Sequence, residues 1–262
     1  AARALLIWWL IAMGWALRAL RRDPLPGLGT NARQVAWTVG AATVTGIVAR
    51  WIAPDRLVMH YMGYEMAAFA ADLTQASKYG PASFALYHEV FRWAGVDHAW
   101  LLQVNRAMGA MLPPLGALLL ARLGGGSVAT ASGAWLLALT PLLIKDATTE
   151  SILVPMQAWL LLGTAEALRF RATGSRSALI GAAGVLLLAM LARPEALALV
   201  PFTAGVVWLV GPRGGPQRRA WLVGTFAVAT LLLATRGVQL AGRMEVERAL
   251  GKPITKEELG GP

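Results

Sequence analysis

The chain has 262 residues, of which 56% are hydrophobic and only 15% are charged, with a formal net charge of +10. A soluble globular domain has about a quarter of its residues charged, so this composition indicates a polytopic membrane protein. The absence of cysteine excludes disulfides, thiolate catalysis and cysteine-ligated zinc or iron–sulfur sites. Most arginines flank apolar segments, which is typical of membrane orientation and argues against nucleic-acid binding.

Apolar segments that approach the roughly 20 residues of a membrane-spanning helix recur along the chain. We predict an all-α polytopic fold with about eight transmembrane helices. The candidate segments are 4–20, 35–53, 101–122, 128–144, 152–170, 178–192, 196–211 and 220–236. The first segment is followed by Arg18, Arg21 and Arg22, and this basic flank lies on the wrong side for a cleaved signal sequence.

The distribution of lysine and arginine among the short loops predicts the orientation of the helices. One set of connections is rich in arginine, for example at Arg122 and Arg218, whereas the alternate short connections have only Lys145 and Arg193. The arginine-rich set should therefore be cytoplasmic. Both ends of the chain and the long loop 54–99 should then lie on the outer face of a bacterial inner membrane.

The loop 54–99 has aromatic and aliphatic residues at helical spacing, divided by Gly80-Pro81. This pattern predicts two short amphipathic helices at the membrane interface, with the apolar side toward lipid or the helix bundle. The loop also contains all three histidines, His60, His88 and His98. Their spacing matches no zinc motif, so hydrogen-bonding roles are favoured, while a divalent cation held by carboxylates stays open.

Two acids in this loop are candidates for proton transfer. Asp55 follows the second predicted helix directly, and Glu65 lies ten positions later. A partly desolvated acid at the outer end of a helix can act as a general base. The alternative is structural, with Asp55 paired to the neighbouring Arg56 and Glu65 solvating its helix.

Two further groups of charged residues fall at breaks between apolar segments on the predicted outer face. In Arg193-Pro194-Glu195 the guanidinium could bind a phosphate with paired N–H donors. The alternative is that Arg193 and Glu195 form an ion pair that closes a turn. Lys145 and Asp146, together with Glu150, allow the same two interpretations. At the cytoplasmic side, Glu166 and Arg169 are predicted to form an intrahelical pair without a functional role.

Five short sequences follow the outer loop and its acid. They are, in chain order, LLQVNRAMGA (101–110), LLLARLGG (118–125), TPLLI (140–144), TESIL (149–153) and ARPEAL (192–197). This ordered set, which covers roughly residues 36–210, resembles the GT-C superfamily of membrane glycosyltransferases, in the branch of protein O-mannosyltransferases and lipid A aminoarabinose transferases.

The resemblance implies transfer of a sugar from a polyprenyl-phosphate donor at the outer face, without an organic cofactor. It implies Glu65 as the base toward the acceptor and Arg193 as a ligand of the lipid phosphate. Asp55, Lys145, Glu150 and Glu195 would line the same cavity. The expected partners are membrane lipid and the lipid-linked sugar, with no nucleic acid.

The sequence also departs from the pattern of this superfamily. Many members have an Asp-Glu pair in the first outer loop, where this chain has Tyr64 before Glu65. The resemblance divides the chain into an extra helix and basic loop (1–34), a GT-C-like core (35–211), and a last helix with a polar tail (212–262). The alternative function is therefore a non-catalytic membrane subunit, built on a degenerate GT-C-like scaffold and packed in a larger complex.

Overall fold

The computed structural model describes residues 28, 31–55, 67, 70–71, 81–149, 151–192, 205, 237, 244, 247–249, 251 and 253. The ordered elements in this described part are α-helices, and no strand occurs there, so the predicted all-α class is confirmed for it. The predicted segments 4–20 and 220–236 lie outside the described residues, as does 196–211 except for one position.

Eight helices are described. They are α1 (Ala32–Ile52), α2 (Pro81–Ala94), α3 (Ala99–Ala110), α4 (Leu112–Arg122), α5 (Ser127–Leu139), α6 (Pro141–Ala147), α7 (Leu153–Thr173) and α8 (Arg176–Ala192). Helices α3 and α4 follow each other as one apolar segment of 24 residues, Ala99–Arg122. Their junction precedes Pro113 and Pro114, which are tolerated in the first turn of α4 because the amides there need no helical partner.

Two of these segments, Ala32–Ile52 and Ala99–Arg122, are long and apolar enough to cross a membrane. They correspond to the predicted spans 35–53 and 101–122. The predicted span 128–144 is broken, because α5 and α6 are bent by 52° around Thr140, and counting this pair as one span raises the total to three. The described residues thus support two to three membrane spans, whereas the sequence predicted about eight.

The predicted span 152–170 is a helix, but its last turns are polar. Helix α7 has 21 residues and includes Glu166, Arg169 and Arg171 near its C-terminus. Helix α8, predicted as 178–192, is apolar but has only 17 residues. Both helices form as the sequence predicts. Their polarity or length explains why neither meets the requirements for a span on its own.

The break between α5 and α6 is stabilised by a buried arginine of α1. Pro141 has no amide hydrogen, so the carbonyl of Leu137 loses the donor that a continuous helix would supply. The fully buried guanidinium of Arg50 donates to that carbonyl at 3.1 Å, to the carbonyl of Ala138 at 3.1 Å and to Gly46 at 2.9 Å. Irregular backbone inside an apolar bundle requires such replacement donors.

Two glycines make room for this guanidinium. A Cβ atom on Gly46 would lie 3.0 Å from Nη1 of Arg50, and a Cβ atom on Gly109 would lie 2.9 Å from its Nε. The Cβ on Gly109 would also lie 2.8 Å from Cβ of Ala147 in α6. Helices α1, α3 and α6 therefore meet around Arg50 at a separation that only glycine permits at position 109.

The loop 54–99 places one described helix against the bundle. Helix α2 begins at Pro81, as the Gly80-Pro81 signal predicts, and its buried side chains include Phe84, Tyr87 and Phe91. These residues belong to the same hydrophobic cluster as Met190 of α8, so the apolar face of α2 is directed toward the bundle. Most of the first predicted helix of the loop lies outside the described residues.

Candidate functional site

Three distant parts of the chain meet around two consecutive polar residues of α3. Asn105 is fully buried and Arg106 is 6% exposed, although both lie within the apolar segment Ala99–Arg122. Arg106 contacts the residues that follow α1, and Asn105 contacts the turn between α6 and α7. Since charge and unpaired polarity are costly in apolar surroundings, this pair is the strongest candidate for a functional site in the described part of the chain.

Arg106 forms an ion pair with Asp55. Nη2 of Arg106 donates at 2.5 Å to Oδ1 of Asp55 and at 3.1 Å to the carbonyl of Ala53. Ala53 is extended because it precedes Pro54, and this ends α1 and leaves its carbonyl available. The Asp55 side chain is 54% exposed while that of Arg106 is 7% exposed, so the pair connects the interior of the bundle to its surface.

The guanidinium of Arg106 retains donor capacity beyond this pair. Its Nε is buried and has no hydrogen-bond partner within the described residues. An arginine presents five donors in a planar fork, and the contacts to Asp55 and Ala53 both come from Nη2. A buried donor without a partner is unfavourable, which makes Arg106 a candidate ligand for an anionic group.

Asn105 fixes the turn that follows α6. Its Nδ2 donates to the carbonyls of Thr149 at 2.7 Å and of Ser151 at 2.9 Å. Its Oδ1 accepts the phenolic hydrogen of Tyr87 at 2.7 Å. Tyr87 is almost fully buried, and this burial raises the pKa of its phenol above the ordinary value, so Tyr87 is a permanent donor at neutral pH.

The structure describes two of the six residues that the sequence assigned to the site. Asp55 is part of it through Arg106. Lys145 is exposed on α6, and no contact of its side chain with Asp55, Asn105 or Arg106 is observed. The other four predicted site residues lie outside the described residues: Glu65, Glu150, Arg193 and Glu195. Asp55 pairs with Arg106, and the predicted alternative partner, Arg56, lies outside the described residues.

The histidines of the loop take part in local contacts. Nδ1 of His88 lies 2.7 Å from the carbonyl of Ala70, and Nδ1 of His98 lies 3.4 Å from Oδ1 of Asp97. Within the described residues, no three histidine, aspartate or glutamate side chains come together as metal ligands. His60 lies outside the described part of the chain.

At the other end of the bundle, Glu166 has a partner that its sequence position does not reveal. Arg122 at the end of α4 donates to Oε1 of Glu166 at 2.9 Å and to the carbonyl of Ala165 at 2.6 Å. The predicted pair with Arg169 is present, but at 3.4 Å it is the longer contact. The prediction of a purely intrahelical pair was therefore incomplete, because a buried interhelical ion pair joins α4 to α7.

Sequence reasoning did not identify the residues that organise the site. Tyr87, Asn105 and Arg106 were not singled out, although Asn-Arg inside the apolar run LLQVNRAMGA is a detectable signal. Arg50 was likewise not considered. A buried ionisable residue near the end of a predicted span indicates a polar partner, but it does not say which segment provides that partner.

The chain was compared with protein-family models, with curated proteins and with solved structures, and none of them matches it.

Proposed function

We propose that the chain is a GT-C-like glycosyltransferase of the bacterial inner membrane. In this proposal it moves a sugar from a polyprenyl-phosphate donor to an acceptor at the outer face. The proposal rests on the resemblance of the ordered sequences between residues 36 and 210, and on one structural observation. That observation is the convergence of residues 53–55, 105–106, 149 and 151 at the end of the bundle where the sequence places the outer acids.

Arg106 is the proposed ligand of the donor phosphate in the described part of the chain. Its guanidinium has a buried Nε without a described partner, next to an edge already oriented by Asp55 and Ala53. A guanidinium binds phosphate oxygens in a bidentate way and stays charged in a partly apolar site. Arg193, assigned by the resemblance, would provide a second cation for the same phosphate.

The reaction requires one acid and one cation on the same face. The acceptor hydroxyl attacks the anomeric carbon of the sugar, the bond from that carbon to the phosphate oxygen breaks, and the polyprenyl phosphate leaves with the electron pair. The hydroxyl proton passes to the carboxylate of the base. Arg106 stabilises the charge that develops on the leaving phosphate.

In this proposal the carboxylates have separate roles. Glu65 is the base, as the resemblance implies, and Asp55 orients Arg106 through the ion pair. Glu150 and Glu195 line the acceptor side of the cavity, and Lys145 lies at its exposed rim. If a divalent cation takes part, the carboxylates of the proposed site would hold it, and it would supply further positive charge for the leaving phosphate.

The test is turnover by the purified chain in proteoliposomes. A panel of polyprenyl-phosphate-linked hexoses and pentoses is supplied, and release of free polyprenyl phosphate is measured. We expect release of polyprenyl phosphate from the wild-type chain. The rate of release should fall about 10²-fold or more in Glu65→Gln and in Arg106→Lys. The lysine keeps the positive charge but loses the paired N–H donors of the guanidinium. Arg176→Lys is the matched control, because Arg176 is exposed at the start of α8, at the opposite end of the bundle.

Full turnover in folded Glu65→Gln and Arg106→Lys variants would contradict the assignment of these residues. Equal losses in Arg176→Lys would show that the effect is not specific to the proposed site. Absence of release from the wild-type chain with every donor would contradict the proposed reaction.

A second candidate function is a non-catalytic membrane subunit. The Asp55–Arg106 pair favours it in one respect, because an ion pair between α1 and α3 also serves to hold two helices together. Purification in a mild detergent discriminates between the two functions. A subunit should run at a larger mass with partner proteins that remain bound, whereas a chain that runs alone and turns over donor is the enzyme.

A further inference from the structure

The turn between α6 and α7 depends on a hydrogen-bonded relay from another part of the chain. Asn105 of α3 uses both hydrogens of its amide nitrogen on this turn, one for the carbonyl of Thr149 and one for that of Ser151. The residue between these two carbonyls is Glu150. A single amide thus holds the backbone on both sides of the acid that the proposed site places in its cavity.

The turn does not hold these carbonyls by itself. The hydroxyl of Thr149 bonds to the carbonyl of Asp146, and the hydroxyl of Ser151 accepts from the amide of Leu153. The Thr149 hydroxyl also accepts from the amide of Ser151 at 3.3 Å within the turn, but none of these side-chain bonds reaches the carbonyl of Thr149 or of Ser151. The carbonyls of Thr149 and Ser151 face the bundle, and the donor that each receives among the described residues is Asn105.

Tyr87 determines which way the amide of Asn105 points. An asparagine side chain can rotate by a half turn and exchange its oxygen and nitrogen at similar steric cost. The Tyr87 hydroxyl donates to Oδ1, which directs the NH₂ group of Asn105 toward the two carbonyls. Burial keeps this phenol protonated, so it remains a donor over the physiological pH range.

We propose that Tyr87 and Asn105 are positioning residues, which fix the Thr149–Ser151 turn and thereby set the position of residue 150 for transfer. The relay connects the loop 54–99, through α2, to the α6–α7 turn. A change in the packing of α2 against α3 would therefore be transmitted to residue 150. The expected effect on transfer rests on the proposed function, whereas the expected effect on the mobility of the turn does not.

The absence of cysteine makes a direct test available. Glu150→Cys introduces the only thiol of the chain, which is labelled with a nitroxide, and its mobility is measured by electron paramagnetic resonance in proteoliposomes. Loss of one buried hydrogen bond should raise the population of the loosened turn about fivefold. We expect Tyr87→Phe to increase the mobile component of the spectrum by that factor. The matched control is Thr43→Val, which removes another buried hydroxyl bond, to the carbonyl of Val39 on α1.

Asn105→Asp provides a second variant, because a carboxylate still accepts from Tyr87 but cannot donate to the two carbonyls. It should loosen the turn more than Tyr87→Phe does. An unchanged spectrum in both variants, or an equal change in Thr43→Val, overturns the inference.

Turnover by the same variants, made without Glu150→Cys and its label, separates this inference from the proposed function. If the wild-type chain turns over donor, Tyr87→Phe should lower kcat with little change in KM, because the donor phosphate is bound elsewhere. Increased mobility in a chain without turnover would support the relay and contradict the transferase. Turnover with unchanged mobility in the variants would support the transferase and contradict the relay.

Discussion

Arg50 of α1 donates a 3.1 Å hydrogen bond to the carbonyl of Leu137 in α5, the carbonyl that Pro141 leaves without its helical donor. Arg50 and Pro141 are far apart in sequence, yet the guanidinium of Arg50 compensates for the amide hydrogen that Pro141 lacks. A proline that would otherwise expose backbone inside an apolar bundle becomes tolerable because a guanidinium replaces the missing N–H. The 52° bend between α5 and α6 is the geometric result.

This compensation can be measured with a double-mutant cycle. Arg50→Met should destabilise the chain by about 2–4 kcal/mol, because it leaves two carbonyls of α5 without their described donor. In the Pro141→Ala background the alanine amide can take over the carbonyl of Leu137, so the same change should cost less by about 0.5–3 kcal/mol. Denaturant unfolding in detergent, followed by circular dichroism, gives both values. If the changes in the free energy of unfolding caused by Arg50→Met and Pro141→Ala were strictly additive, the compensation would be contradicted. Arg92→Met, at an exposed position of α2, is the control.

Gly109 and Gly40 form a matched pair for testing the close approach of α3 to α1 and α6. Gly109→Ala should cost about 1–3 kcal/mol, because its Cβ would lie 2.8 Å from Cβ of Ala147 and 2.9 Å from Nε of Arg50. Gly40→Ala in α1 meets no atom within 4 Å and should stabilise the chain by up to about 1 kcal/mol through helix propensity. Unfolding midpoints of both variants check this. Equal effects of the two substitutions would be incompatible with the packing described around Arg50.

The buried phenol of Tyr87 predicts an alkaline loss of stability. Its pKa is raised in the folded state, so the unfolded chain gives up this proton at lower pH than the folded chain does. The contribution is complete below the unfolded pKa of about 10 and is lost as the pH rises above it toward the folded pKa. Melting temperatures from pH 8 to 11 should therefore fall more steeply in the wild-type chain than in Tyr87→Phe. Parallel curves for the two proteins would argue against a buried Tyr87.

Labelling of single cysteines tests the predicted orientation. Asp97→Cys lies just before α3, at the end of the bundle predicted to be outside, and Ser175→Cys lies between α7 and α8, at the end predicted to be cytoplasmic. An impermeant maleimide added to intact cells should label the first cysteine and leave the second unlabelled until the membrane is opened. The reverse pattern would invert the assignment of every loop and move the proposed site to the cytoplasmic face.

The sequence predicts that the helix ends fall into two groups, and several contacts among the described residues join ends of the same group. Segments assigned to one face do meet at one end, since Arg106 contacts Ala53 and Asn105 contacts Thr149. Segments assigned to the other face also meet, since Arg122 of α4 contacts Glu166 of α7. Which end faces the cytoplasm stays a prediction from the distribution of arginine.

The number of spans was less predictable. The sequence placed α7 and α8 correctly as helices but also counted both as spans, which the charged last turns of α7 and the 17 residues of α8 do not support. In α7, Glu166 and Arg171 are buried inside the bundle, where Glu166 is paired with Arg122. A window of mean hydropathy cannot register a charge that another helix neutralises, because that partner lies outside the window.

The sequence by itself determined the all-helical class of the described residues and the approximate limits of several helices. These follow from apolar length, from glycine and proline, and from the placement of arginine, all of which are local properties. Only the tertiary structure decided that Arg50 completes a proline break, that Arg106 pairs with Asp55, and that Asn105 holds the carbonyls of Thr149 and Ser151. These contacts join residues distant along the chain, and a hydrogen bond forms only where packing brings its donor and acceptor together.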